Sequence, residues 1–275
     1  MKVLRRNNVH CAGSGPVTLV FVHGFGCDQS MWRFLVPHYE RRARIVLYDL
    51  TGCGGSDLTA YDFNRYETLH GHATDLLELV ERYARGPVVL VGHSIGSTIG
   101  MLAAIAQPDR FAGQVMVSPS PCFINDDSYV GGFNAEDISE LLNLMQRRFD
   151  EWTTKVAPLI MGAPGQPALQ AELASRFQRN NPDIMRHFAR VAFTADHRAD
   201  VARCAIASLI LQCSDDMIAP VEVGQYLHAH LPDSELAIIP NIGHCPHMSV
   251  PETSADVMNA FLDGLINHHA HLPVS

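Results

Sequence analysis

The chain has 275 residues, 47% apolar and 18% charged, with a net charge of −9. That length buries a large core, as one α/β domain or two small ones, and an acidic balance with no long basic run excludes nucleic-acid binding through a basic footprint. No run approaches the roughly 18 uninterrupted apolar residues of a membrane span, and Met1-Lys2-Val3-Leu4-Arg5-Arg6-Asn7-Asn8 has no apolar segment behind its charges, so neither a membrane partner nor a signal peptide is expected.

Taken along the chain, Val17 to Val22 reads as a buried strand and Ile45 to Tyr48 as a second. Their β-branched content and short length favour strand over helix. Leu69 to Tyr83 places Leu69, Ala73, Leu76, Leu77, Val80 and Tyr83 on one helical stripe. Val88 to Val91 is the third strand, and it runs through Gly92-His93-Ser94-Ile95-Gly96 into a small-residue helical stretch, Ser97 to Ala106. Val115 to Val117 is the fourth. The alternation then stops from Cys122 to Arg203. One amphipathic helix stands out there, with Ile138, Leu141, Leu142, Met145 and Phe149 on one face, and Pro158, Pro164, Pro167 and Pro182 punctuate shorter helical pieces. Some 80 residues are too many for a simple crossover. Residues 122–203 are therefore read as a helical cap over the carboxyl ends of the strands, inserted in a core made of 1–121 and 204–275. Strands resume at Ser208 to Cys213 and Glu235 to Ile239, and a last helix, Ser254 to Ile266, buries Val257, Met258, Phe261, Leu262 and Leu265. The fold class is α/β, a mostly parallel central sheet flanked by helices.

Seven cysteines (Cys11, Cys27, Cys53, Cys122, Cys204, Cys213 and Cys245) make an odd, widely spaced set with no C-x-x-C. This predicts reduced thiols and a cytoplasmic location. Neither metal nor cofactor is expected. The run His268-His269-Ala270-His271 has no carboxylate or cysteine cluster beside it in sequence and reads as a solvated tail.

The chemistry centres on Ser94. A serine between two glycines at a strand-to-helix turn has the form of a nucleophile elbow. A serine hydroxyl needs a base, and the base needs an orienting carboxylate. Both stand downstream at the ends of later strands. Asp216 is chosen as the acid over Asp215 because it precedes Pro220 by four residues; Asp215 is expected to bond the turn backbone. His244, directly after Gly243, is chosen as the base, with His247 as the alternative and His93 read as a packed residue of the elbow. The oxyanion of acyl transfer needs two donors, and the N–H groups of Ile95 and of Phe25, in His23-Gly24-Phe25-Gly26, are the candidates. Asp49-Leu50-Thr51-Gly52-Cys53-Gly54-Gly55-Ser56-Asp57 looks like a phosphate loop, but Asp57 replaces its third glycine and no Lys-Ser/Thr pair follows. It is read as a structural turn with Asp49 bonding the loop backbone.

With these residues in view the chain resembles the α/β-hydrolase superfamily along its length. Within it, the chain is similar to the RsbQ-like bacterial stress-response regulators and the plant strigolactone and karrikin receptors. The carrying stretches are His23 to Trp32, Tyr61 to Leu69, Val91 to Gly96, Ser118 to Asp126, Gly131 to Phe133 and Gly243 to Ser249. The resemblance implies a triad of Ser94, Asp216 and His244, a cap of four helices over an apolar cavity, and pocket aromatics at Phe25, Phe123, Phe133, Trp152 and Phe193. His23-Gly24 departs from the proline-glycine pair expected of RsbQ and matches the plant receptors. Two functions follow: a serine hydrolase of a small apolar ester or lactone, or a signalling hydrolase that binds such a ligand and activates a regulatory protein such as a stress-pathway phosphatase.

Overall fold

Seven strands form one sheet in a computed structural model that describes residues 3–270: β1 His10–Ala12, β2 Val17–Val22, β3 Ala43–Leu47, β4 Val88–His93, β5 Gly113–Val117, β6 Ser208–Asp215 and β7 Ser234–Ile242. The side chains of the run His268 to His271 lie outside the described residues. The spatial order is β1-β3-β2-β4-β5-β6-β7, and every pairing is parallel except β1 on β3. The edge strand β1 is missing from the sequence reading. Its three residues are all exposed and carry no apolar alternation; only pairing with Ile45 to Leu47 makes them a strand.

The central strands are apolar on both faces, which is why they read as continuous runs. Alternate residues divide between two cores. Val20, Val22, Leu90 and Met116 face the helices His70–Tyr83, Ile95–Ala106 and Val221–His230. Leu19, Phe21, Val89, Val91 and Val117 face Trp32, Leu35 and the last helix, Pro251–Ala270, through Met258, Phe261 and Leu262. Val257 and Leu265 of that helix are only half-buried. In His70–Tyr83 the buried face holds His72, Asp75 and Leu79 beside Ala73, Leu76 and Val80, while Leu77 and Tyr83 lie at its margin.

Between β5 and β6 the chain forms four helices of 13 residues each: Ala135–Arg147, Phe149–Met161, Pro167–Arg179 and Pro182–Thr194. They are called the first to fourth cap helices below. The stripe expected from Ile138 to Phe149 is broken at Arg148, which leaves helical geometry, so Phe149 opens the second helix. Pro167 and Pro182 start helices, where the missing N–H costs nothing. Pro158 does not divide two helices; it sits inside the second. The burial of Trp152 and Val156 before it and Ile160 and Met161 after it holds the helix across the lost bond. The apolar faces of all four helices join the sheet's upper core in one continuous cluster.

His72 packs at the edge of that cluster, stacked on Tyr66 at 4.6 Å and against Phe188 at 5.0 Å. Neither ring nitrogen has a hydrogen-bond partner among the described residues. Burial lowers its pKa to about 4, with Asp75 opposing. Above pH 6.5 the ring is neutral folded or unfolded. Below it the unfolded chain takes a proton that the folded one refuses. The His72 contribution to stability is therefore lost as pH falls from 6.5 towards 4, by about 1.4 kcal/mol per unit. Urea unfolding across that range is expected to give a slope about one proton shallower for His72→Phe than for wild type; equal slopes would refute the assignment.

Candidate active site

Three parallel strands deliver the chemistry at their carboxyl ends. β4 ends at His93, and Ser94 follows with φ 54°, ψ −124°, a strained backbone for a residue with a side chain. Its N–H bonds the Val117 carbonyl at 2.9 Å. The two glycines of the pentapeptide have steric causes. A Cβ on Gly92 would sit 2.6 Å from Ser97 Cα, and one on Gly96 would sit 2.4 Å from the Val22 carbonyl oxygen and 2.6 Å from that of His23. The helix thus packs directly on β2, and Ser94 projects beyond the sheet.

β6 and β7 bring the acid and the imidazole. His244 Nδ1 donates to Asp216 Oδ2 at 2.7 Å, and His244 Nε2 lies 2.7 Å from Ser94 Oγ, oriented to accept its proton. All three side chains are buried. Asp216 Oδ1 also accepts from the N–H groups of Ile218 at 2.9 Å and Ala219 at 3.2 Å. The turn-bonding role expected of Asp215 therefore falls to Asp216. Asp215 is exposed and joins the base loop only through its carbonyl, which accepts from Gly243 N–H at 2.8 Å.

The other histidines stand aside. His93 points away from Ser94 Oγ, and its Nε2–H donates to the His244 carbonyl at 2.8 Å. Burial, then the neighbouring His247 and His244, push its pKa well below the usual value. His247 is packed against Trp32 at 4.6 Å and His93 at 4.4 Å, and burial lowers its pKa to about 3. Both rings are neutral and support the loop that carries His244.

His23 anchors the loop after β2. Its Nε2 accepts from Leu50 N–H at 2.9 Å and its Nδ1–H donates to the Gly24 carbonyl at 2.8 Å. Among the described residues, no group accepts from the N–H of Phe25 or of Ile95. Over Ser94 lies a narrow cavity of ≈ 30 Å³, lined by Phe25, Phe123, Phe193, Ile160, Phe177, Ala192 and Ile218. Phe133 and Trp152 do not line it. Trp152 is screened by Phe25 and Phe177, whose rings lie 6.1 and 5.4 Å away. Phe133 is half-buried and pairs by backbone with Phe123 and Asn125. Phe177 was overlooked in sequence, although Leu169, Leu173 and Phe177 recur at four-residue spacing, a legible apolar stripe.

A larger hollow, ≈ 790 Å³, is elsewhere, an open groove along Asn8, Gln29, Arg33, Asp49 and Arg179 that shares no residue with the Ser94 cavity. In it the phosphate-loop look-alike is explained. Asp49 Oδ2 accepts from Gly55 N–H at 2.8 Å and Oδ1 from Gln29 N–H at 2.8 Å, so a carboxylate already fills the place of an anion. Among the described residues, no group of three His, Cys, Asp or Glu side chains is gathered for a metal, and no helix is long and apolar enough to cross a membrane.

An elbow serine at the end of the fourth strand, with an acid and an imidazole from the sixth and seventh, defines a class, and the comparisons agree with it. The chain belongs to the alpha/beta hydrolase family, whose pattern matches residues 19–257. It is 38% identical to the karrikin insensitive 2 receptor IA of Petunia hybrida, over 91% of this chain and 92% of that one. It is 33% identical to the strigolactone esterase D14 of Arabidopsis thaliana, over 94% and 97%. Among solved structures, a hydrolase from Oleispira antarctica superposes with a TM-score of 0.91 at 36% identity, covering 95% of this chain and 96% of that one.

The steric reading of the elbow distinguishes two nearby glycines. A Cβ on Gly100 would meet only the Leu90 side chain, at ordinary distances of 3.4 Å to Cδ1 and 3.9 Å to Cβ. Thermal unfolding should show Gly96→Ala destabilised by about 1–3 kcal/mol, as overpacking costs, and Gly100→Ala neutral or up to about 1 kcal/mol more stable, as helix propensity favours alanine. Equal stability of the two variants would contradict the close approach at Gly96.

Proposed function

We propose that the protein is a serine hydrolase acting on a small apolar ester or lactone. One observation carries this reading: the His244 imidazole stands at hydrogen-bond distance from both Ser94 Oγ and Asp216 Oδ2. Asp216 fixes the tautomer, leaving Nε2 free to take the serine proton as Oγ attacks the substrate carbonyl. The oxyanion is received by the N–H groups of Phe25 and Ile95, the second at the start of a helix whose dipole favours negative charge. Collapse expels the alkoxide, which takes its proton from His244 Nε2. A lactone leaves its alkoxide tethered to the acyl group. His244 then draws a proton from water, and the hydroxide equivalent attacks the acyl-enzyme and regenerates Ser94. The names of the esterase relatives support this class of reaction.

The lining supports an apolar substrate, and the cavity's size says how it is admitted. At ≈ 30 Å³ it is far below the roughly 300–1,000 Å³ of ordinary ligand sites. Residues 122–203 act as a lid that yields to admit the substrate. The same feature favours a second reading, in which ligand capture reshapes the lid and reports to a regulatory protein partner. The similarity to a Petunia receptor supports it.

A panel of aryl esters, butenolides and lactones tests the first reading. Ser94→Ala is expected to lose turnover by about 10⁶-fold and Asp216→Asn by about 10⁴-fold, with far-ultraviolet circular dichroism unchanged. Retained turnover in a folded Ser94→Ala protein would sink it. For the second reading, hydrogen exchange in residues 122–203 is expected to change when a turned-over ester is added, and to stay constant if the lid has no reporting role.

A further inference from the structure

The loop that carries Phe25 is tied to the body of the protein at both ends: at Gly24 through His23, and at Gln29, whose N–H donates to Asp49 Oδ1 at 2.8 Å. Between those points the cap adds its own hold. The Phe25 ring sits among Trp152, Phe177, Phe188 and Phe193, with centroids 5.2 to 6.1 Å away. The Gly26 carbonyl accepts from Asn180 Nδ2 at 2.7 Å. Gly26 itself has φ 65° and presses so closely on the cap that a Cβ would lie 2.7 Å from both Met185 Cε and Phe177 Cδ1.

Asp28 completes the attachment. Its two carboxylate oxygens each lie 2.6 Å from Arg176 Nη1 on the third cap helix. Arg176 is 7% exposed, donates to Ser30 Oγ at 2.6 Å and is braced by Glu172 Oε1, at 2.5 Å from Nη2 and 3.2 Å from Nε. Asp28 Oδ1 also accepts from Ser30 N–H at 2.9 Å, capping the turn that follows. A buried guanidinium is a poor source of net stability, and its best-attested use is fixing one arrangement among several. Here the arrangement it fixes is that of the loop carrying a donor.

We propose that Arg176, assisted by Asn180, is a positioning residue for the oxyanion: from the cap they hold Asp28 and Gly26, and so orient the Phe25 N–H towards the carbonyl above Ser94. This rests on the acyl-transfer reading. The Gly24 carbonyl, in the same peptide plane as that N–H, is held by His23 Nδ1–H at 2.8 Å and Cys27 N–H at 3.3 Å. Releasing the clamp removes the cap's share of the hold on that plane, which weakens without abolishing one of two donors that act mainly in the transition state. The loss therefore falls on kcat.

The test uses the full chain, a short aryl ester that the wild type hydrolyses, and phenylboronic acid, which adds to a serine hydroxyl as a tetrahedral anion. Rates are normalised to sites titrated with a phosphonate. Arg176→Gln and Asp28→Asn are each expected to lower kcat by about 10- to 100-fold, below the roughly 10²–10³ of a donor removed outright, with KM within about threefold. Boronate affinity should fall with kcat, Arg176→Lys should recover most of the loss, and the double variant should be no worse than the singles. Arg179→Gln is the control, since Arg179 is 64% exposed and its Nη2 stands 3.9 Å from Asp28 Oδ2; its kcat should be that of the wild type.

Wild-type kcat in folded Arg176→Gln would overturn the inference, as would a loss confined to KM or a fall in kcat with unchanged boronate affinity. Should Arg176→Gln not fold, Asn180→Ala, which removes only the bonds from that side chain, decides by the same criteria. Turnover surviving in Ser94→Ala overturns this inference together with the acyl-transfer reading; turnover lost there but intact in Arg176→Gln overturns this inference alone.

Discussion

The closeness with which the helix after Ser94 packs on β2 governs the whole site. Backbone lies against backbone there, with the Val22 and His23 carbonyls where a side chain at position 96 would begin. Two glycines permit that approach, and the turn between them drives Ser94 to a positive φ at a cost of about 1–3 kcal/mol. The surroundings compensate with particular bonds: Ser94 N–H to Val117, Ser97 Oγ to the Gly92 carbonyl at 2.7 Å, and Thr98 Oγ1 to the Ser120 carbonyl at 2.7 Å. Because β2 continues into the loop carrying Phe25, the same packing sets beside one serine the N–H groups of Phe25 and Ile95, which bond no acceptor among the described residues. Under the proposed acyl-transfer function, nucleophile and oxyanion donors are products of a single steric constraint.

Asp216 and His244, the proposed acid and base, are held by a different device, to which the helices between β5 and β6 belong. The His244 N–H donates to the Ile160 carbonyl at 2.9 Å, and Ala163 N–H donates to the Ile242 carbonyl at 2.8 Å. Gly162 and Gly243 meet back to back, with a Cβ on Gly162 reaching 2.5 Å from Gly243 Cα. The end of the second cap helix is therefore seated on the base loop. The four-helix insertion shares the upper core of the sheet. Its position and the site's geometry are two descriptions of one packing arrangement.

Features that repeat along the chain are legible in its sequence. Val17 to Val22 and Val88 to Val91 advertise buried parallel strands by composition alone. Ser94, Asp216 and His244 could be picked because each follows an apolar run, and strand ends in a parallel sheet converge on one edge. What was not readable depends on contacts between distant residues. The strand His10–Ala12 exists only through β3. Pro158 was misread because local propensity counts the missing bond but not the burial on either side of it. Asp215 and Asp216 are adjacent carboxylates, and the division of their roles comes from which one faces Ile218 and Ala219. Trp152 and Phe177 are both aromatic cap residues, yet only packing order decides that Phe177 reaches the cavity and Trp152 stands behind it.

The proposed function makes Ser94 Oγ the nucleophile that takes up the acyl group, and trapping that covalent state tests it most directly. The protein is mixed with an aryl ester that deacylates slowly, quenched in acid within the first turnovers, digested and weighed by mass spectrometry. The account predicts one acyl group per chain, on the peptide containing Ser94, appearing at the rate of the first-turnover burst of released phenol. Turnover with no acyl mass on that peptide, or with the mass on another residue, would contradict it.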